Sequence, residues 1–368
     1  MIVKLAKTAG FCYGVQRAVD AVEAALLEQE RGALQLQHHE KLRPKGDKEN
    51  TEITKAKEAK ENKEAKEAKE NKEAKETKET KETKETTETA EHAGTKDAQR
   101  KQGKEYNDGK QIYTYGPIVH NDIVVNEFAQ RGVRVIKDME ELKQLAASGA
   151  LDQAVVIIRA HGVGEDVMRI LREKTRRTEV IDATCPYVKK IHEIVKKQHA
   201  QGRRILITGS VSHPEVQGIL GQIGGDADVI RSVEEAQALG LPESAKVCLV
   251  SQTTFHVQKF EDIVAILKKK RYDMNVINTI CNATQRRQTE AAALSAECDA
   301  MLVIGGRNSS NTAKLYDICR SECKKTYFIQ SLADLEGTVN NSVRCVGITA
   351  GASTPKSIIE EVLKICQK

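Results

Sequence analysis

Short apolar runs alternate with amphipathic stretches along most of this chain. IYTYG (112–116), AVVIIRA (154–160), RRILITG (203–209), VCLVSQ (247–252), AMLVIG (300–305) and RCVGIT (344–349) read as strands, several of them almost continuously apolar. IVKLA (2–6), VRVI (133–136), EVID (179–182), DVI (228–230), NVINT (275–279) and TYFIQ (326–330) are further strand candidates. Between them, stretches such as YVKKIHEIVKKQHA (187–200) and FEDIVAILKKK (260–270) repeat apolar residues at helical spacing. Strands alternating with helices predict an α/β fold with parallel sheets covered on both faces. In such sheets, ligands bind beyond the carboxyl ends of the strands.

The pattern breaks between residues 38 and 110. Lysine recurs at every third position from Lys57 to Lys84, each followed by glutamate. A period of three drifts around a helix and keeps no apolar stripe. With only Leu42, Ile53 and Tyr106 as sizeable apolar groups, the tract cannot bury enough surface to order itself. It is expected to be a solvated, partly helical or disordered insertion.

Composition narrows the function. The chain has 368 residues, 58 Lys+Arg against 53 Asp+Glu, and 39% hydrophobic residues. A net charge of +5 over that length is mild, and no RNP, zinc-finger or homeodomain pattern occurs, so nucleic acid is not an expected partner. No run of 18 apolar residues appears and MIVKLAKTAG has no signal-peptide core, which points to a cytoplasmic protein without a membrane partner. Nine cysteines without a CxxC pair argue against a disulfide framework, a zinc finger or a thioredoxin-like site. HGVGEDV lacks the third glycine of a dinucleotide fingerprint, and GxxxxGK[ST] is absent.

Three cysteines share a setting that the other six lack. Cys12 (KTAGFCYGV), Cys185 (VIDATCPYV) and Cys281 (VINTICNAT) each follow a strand candidate and open a helix. A helix N-terminus lowers a thiol's pKa and favours the thiolate that binds metal. Cys185 and Cys281 are 96 residues apart, and Cys12 and Cys185 are 173 apart. Without the insertion the second spacing shrinks to about 100, a rough repeat that implies three similar units. These are taken as residues 1–184, 185–280 and 281–368, the last closing with a helix. Three thiolates from three units meet on a pseudo-threefold axis. Such soft ligands suit zinc with a water, or an iron–sulfur cluster with one iron left open, and spacing alone does not choose.

Polar corners end other strands of the same units. GPIVHN gives His120 and Asn121, RAHGVG gives His161, and GSVSHPEVQG gives His213 and Glu215. SQTT gives Thr253 and Thr254, GGRNSSNT gives Ser309, Ser310 and Asn311, and TAGAST gives Ser353. Each alone reads as a cap or turn. Together, three imidazoles and hydroxyl or amide donors at helix starts form an anion pocket without a fixed Lys or Arg, suited to a small diphosphate. Glu215 is the natural proton donor if burial raises its pKa. His192, His199 and His256 lie on helical patterns and read as surface residues.

In order, GFCYGVQRAV, GPIVHN, AHGV, DATCPYV, HPEVQG, SQTT, NTICNATQRRQ, NSSNT and AGAST resemble the motifs of the LytB-type 4-hydroxy-3-methylbut-2-enyl diphosphate reductases. The resemblance spans nearly the whole chain outside the insertion. It implies three α/β units in a trefoil around a central [4Fe–4S] cluster held by Cys12, Cys185 and Cys281. It further implies a diphosphate pocket of His120, Asn121, His161, His213, Ser309, Ser310, Asn311 and Ser353, with Glu215, Thr253 and His161 relaying protons. The implied reaction removes the substrate's hydroxyl as water, giving isopentenyl and dimethylallyl diphosphate at the end of the methylerythritol phosphate route. Ferredoxin or flavodoxin is the implied electron donor. A zinc-dependent hydrolase or lyase on the same thiolates, and a non-enzymatic iron–sulfur sensor, are the competing classes.

Overall fold

A computed structural model describes residues 1–42, 110–338 and 343–367, with the backbone alone over 33–42. Residues 1–28 and 110–368 form one compact unit, and residues 29–109 a second. The Lys/Glu tract lies, from 43 to 109, outside the described residues. Its expected start, 38–42, continues the helix Tyr13–Leu42.

Twelve strands are described, at the twelve sites the apolar runs mark. They are β1 (Ile2–Leu5), β2 (Ile112–Tyr115), β3 (Arg134–Ile136), β4 (Val155–Ile158), β5 (Glu179–Asp182), β6 (Arg204–Thr208), β7 (Ala227–Ile230), β8 (Lys246–Ser251), β9 (Asp273–Val276), β10 (Ala300–Ile304), β11 (Thr326–Ile329) and β12 (Cys345–Ala350). They pair into three parallel four-stranded sheets, ordered β3-β2-β4-β5, β7-β6-β8-β9 and β1-β12-β10-β11. The most apolar runs are central: every residue of β4 and of β10 is buried. Side chains such as Ile157, Leu206 and Leu302 are fully buried, each contributing roughly 1.5–3 kcal/mol through removal from water. Between the strands run helices with side-chain caps. Asp138 and Ser232 accept backbone N–H bonds at the starts of Met139–Ala147 and Val233–Ala238.

One boundary differs from the linear division. β1, expected in the first unit (1–184), pairs with β12 in the sheet of the third, Ile2 opposite Cys345 and Leu5 opposite Ile348. A parallel partner is reached by a crossover and need not be near in sequence, so the free edge of β12 can accept the chain's first strand. With β1 counted as fourth strand of that sheet, all three sheets share the order second-first-third-fourth. The repeat is therefore cyclic: each fourth strand leads into the helix that begins the next unit.

Candidate active site

The cyclic repeat explains how distant motifs reach one place. Beyond the fourth strands β1, β5 and β9 come Cys12, Cys185 and Cys281. Beyond the first strands β2, β6 and β10 come His120, His213 with Glu215, and Ser309 to Asn311. Beyond the third strands β4, β8 and β12 come His161, Thr253 and Ser353. All of these line one cavity of about 80 Å³. Asn121 does not line it; its carboxamide oxygen caps the helix Asp122–Gln130, accepting from Ile123 N at 3.1 Å and Val124 N at 3.4 Å. That cap is the bland reading of an Asn before a helix, and here it prevails.

The thiols are held closely. Cys185 and Cys281 are the N-cap residues of Pro186–Ala200 and Asn282–Glu297. Thr284 N donates to Cys281 Sγ at 3.4 Å, and the backbone N–H groups of Tyr187 and Val188 favour the Cys185 thiolate. Gly14 leaves room for the Cys185 thiol: a Cβ there would sit 2.6 Å from its sulfur. The loop carrying Cys12 is tied to the Cys281 helix. Glu290 accepts from Lys7 N (2.7 Å) and Thr8 N (2.9 Å), while Arg287, 3% exposed, donates to Gly10 O (3.0 Å) and Ala350 O (2.6 Å). Burial pushes the Cys185 and Cys281 thiols up, against the lowering expected of helix N-termini, and the neighbouring cysteines push the same way. Three soft donors that repel one another as anions fit a positive centre between them, which would draw them into the thiolate form.

The three imidazoles form a second group. Ring centroids lie 4.6 Å apart for His120 and His161, 5.5 Å for His120 and His213, and 5.4 Å for His161 and His213. Burial lowers His120 to about 4, His213 to about 3 and His161 well below its usual value, so all three are neutral at pH 7. His213 Nδ1 accepts from Glu215 N at 3.1 Å. His120 Nε2, His161 Nδ1 and Asn311 Nδ2 are buried without a partner among the described residues. Buried polar atoms are rarely left so, and these face a cavity. Their spacing would also suit a divalent ion. Lys314 acts electrostatically on His213, and Arg159 on all three rings, which opposes a cation and favours an anion.

Glu215 joins the two groups. Its carboxyl is 1% exposed and accepts from Thr253 N and Thr253 Oγ1, both at 2.6 Å. Burial raises its pKa to about 7, while the Thr253 bonds and Lys314 oppose the rise. It is therefore a carboxylic acid able to give up a proton near neutrality. Lys314, lowered to about 8 by burial, donates to Ser310 Oγ, which also accepts from Gln252 Nε2 at 3.2 Å. So the pocket does hold a fixed cation nearby, contrary to the reading from its motifs.

A model of the LytB protein family matches residues 92–367. The chain belongs to the LytB family. A 4-hydroxy-3-methylbut-2-enyl diphosphate reductase of Caldanaerobacter subterraneus subsp. tengcongensis is 44% identical over 273 residues, 74% of this chain and 91% of the relative. One of Alkaliphilus oremlandii is 38% identical over 260 residues, 70% of this chain and 88% of the relative. Among solved structures, the (E)-4-hydroxy-3-methyl-but-2-enyl diphosphate reductase described as the terminal enzyme of the non-mevalonate pathway matches with a TM-score of 0.55 at 30% identity, covering 100% of this chain and 99% of that one. The Plasmodium falciparum E-1-hydroxy-2-methyl-but-2-enyl-4-diphosphate reductase matches with a TM-score of 0.70 at 24% identity, covering 100% and 88%, a likeness of fold. These structures share the three-unit trefoil architecture seen here.

Cys12 precedes the residues matched by the LytB family model, so its membership of the thiol set rests on geometry. Lys314 and Arg287 were missed by motif reading. A signal existed for Lys314, since residue i+4 from Ser310 shares its helix face. Arg287 lay inside the NTICNATQRRQ motif, but nothing local gave it a role, because its partners Gly10 and Ala350 are 277 and 63 residues away. His192 is half-buried, with Nε2 unpartnered among the described residues, and not the surface residue expected. Among the described residues, no helix is long and apolar enough to cross a membrane.

Proposed function

We propose that this LytB-family chain is an iron–sulfur oxidoreductase that converts 4-hydroxy-3-methylbut-2-enyl diphosphate to isopentenyl and dimethylallyl diphosphate. The observation that carries it is one cavity lined by three cysteines, a carboxyl whose pKa burial raises, and imidazole and amide nitrogens without partners among the described residues. Cys12, Cys185 and Cys281 would hold a [4Fe–4S] cluster, which when bound supplies electrons singly and an iron with an open position. His120, His161, His213, Ser309, Ser310, Asn311 and Ser353 bind the diphosphate through N–H and O–H donors. Lys314 adds positive charge behind Ser310. Glu215 gives its proton to the departing hydroxyl, and Thr253, bonded to both carboxyl oxygens, holds the acid in place and hands protons on.

The balance is simple. The allylic C–O bond breaks, water leaves, two electrons and two protons enter, and the second proton goes to either end of the allylic system, which gives two isomeric products. Ferredoxin or flavodoxin, as one-electron carriers, fits the donor role. All nine cysteines are free, which fits a reducing cytoplasm.

Anaerobically purified full-length chain, the hydroxylated diphosphate and a reduced viologen test this. The expected result is formation of both products with two viologens oxidised per turnover. A colourless, zinc-containing protein that converts nothing would overturn it in favour of the zinc-enzyme class.

A further inference from the structure

A second cavity, of about 400 Å³, borders the same two loops as the active site. Gly162, Val163 and Gly164 on its wall follow His161, and Ser212 and Pro214 flank His213. Arg159, the residue after β4, lines this cavity and does not line the catalytic one. Its guanidinium lies against Gly116, where φ is +71° and a Cβ would fall 2.2 Å from Nη1. The glycine of the Gly-Pro corner thus makes room for the cation.

That cation is uncompensated. The Arg159 side chain makes no hydrogen bond or ion pair among the described residues, and its Nε is buried without a partner. The terminal nitrogens are not among the buried orphans, so solvent in the cavity reaches them. Lys137, also on the wall, has no partner for its Nζ among the described residues. The two carboxylates on the same wall are both engaged: Asp138 accepts from Glu141 N at 2.9 Å as a helix cap, and Asp166 pairs with Arg169 at 2.5 Å. Burial lowers Arg159 to about 10, which still leaves it charged at neutral pH. A half-buried charge without a partner is costly, and a guanidinium fork matches the oxygens of a phosphate in two parallel bonds.

We propose that this cavity is an anion site that takes a phosphate group, bound by the Arg159 fork with Lys137 as second cation. The rest of its volume leaves space for the body of a phosphorylated small molecule, with Tyr115 also on the wall. The site is separate from the diphosphate pocket and holds whatever reaction the chain catalyses. Because its walls carry the chain neighbours of His161 and His213, an occupant would be sensed by the catalytic loops.

The test is a titration of inorganic phosphate into anaerobically purified full-length chain, read by melting temperature and by calorimetry. Three variants accompany it: the double variant His120→Ala/Ser310→Ala, Arg159→Gln and Arg159→Lys. Phosphate is expected to bind and stabilise the parent chain and the double variant alike. Binding should weaken at least tenfold in Arg159→Gln and by a smaller factor in Arg159→Lys, which keeps the charge but loses the fork. If Arg159→Gln fails to fold, Arg159→Lys with Lys137→Ala carries the comparison. Unaltered phosphate binding in the Arg159 variants, its loss in the double variant, or no binding to the parent would each overturn the proposal.

Discussion

Exchanging Glu215 for glutamine removes the acid with little change of shape. The amide oxygen can still accept from Thr253 N, and the Thr253 hydroxyl can turn to accept from the new NH₂, so both 2.6 Å contacts have replacements. Proton delivery does not, and general acids contribute about 10²–10⁴-fold. We therefore expect kcat for the hydroxylated diphosphate to fall at least about 10²-fold, with KM changed little. The parent enzyme should lose kcat as pH rises through about 7, where the Glu215 proton is lost, and the variant's residual rate should lack that step. Stability gives an independent readout. The folded pKa lies above the unfolded value of 4.5, so the protonated group's contribution is fully present below 4.5 and is lost as pH rises through about 7. The displacement corresponds to about 3.5 kcal/mol at most, from roughly 1.4 kcal/mol per pH unit. Glutamine carries no such penalty, so at pH 8 the variant should melt no lower than the parent. Anaerobic steady-state kinetics from pH 6 to 9, with melting curves at pH 5 and 8, make both measurements. A variant within threefold of parental kcat, or a parental kcat flat across that range, would refute the role of Glu215.

Other expectations follow from the same geometry. Cys12→Ser, Cys185→Ser and Cys281→Ser should each lower bound iron and abolish turnover, whereas Cys298→Ser and Cys323→Ser, which pack against Met301 and Leu315 away from the cavity, should not; iron analysis and the anaerobic assay decide. Gly14→Ala drives a methyl to 2.6 Å from Cys185 Sγ and should lower iron content without unfolding the chain, checked by iron analysis beside circular dichroism. Lys314→Met should raise KM about tenfold, roughly 1.4 kcal/mol, with a smaller effect on kcat. In the parent, KM should rise as pH passes about 8 and Lys314 loses its charge, a rise the variant should lack.

Strand positions were legible because residues 154–158 or 300–305 are apolar without a break, as a strand buried on both faces requires. The thiol set was legible because Cys12, Cys185 and Cys281 alone combine a preceding strand with a following helix. The cyclic closure was not. Ile2 meets Cys345 across 343 positions, and local pattern says nothing about which free edge a short strand will join. Electrostatics were legible in part. Glu215 could be named because His-Pro-Glu at a strand end implies burial, but at Cys185 and Cys281 desolvation outweighs the lowering expected of a helix end. Asn121 went to its helix cap because that interaction is two residues away and needs no ligand. Arg159 escaped notice because its environment is made by Gly116 and by a cavity wall drawn from four separate segments.

The central claim is that three thiolates from three successive units hold a cluster with one iron left for chemistry. Mössbauer spectroscopy of the anaerobically purified, iron-57-labelled full-length chain tests it most directly, combined with iron and sulfide analysis. The expected result is about four irons and as many sulfides per chain, with one iron site distinct from the other three and altered by adding the hydroxylated diphosphate. Four equivalent irons unaffected by substrate, or zinc in place of iron, would contradict it.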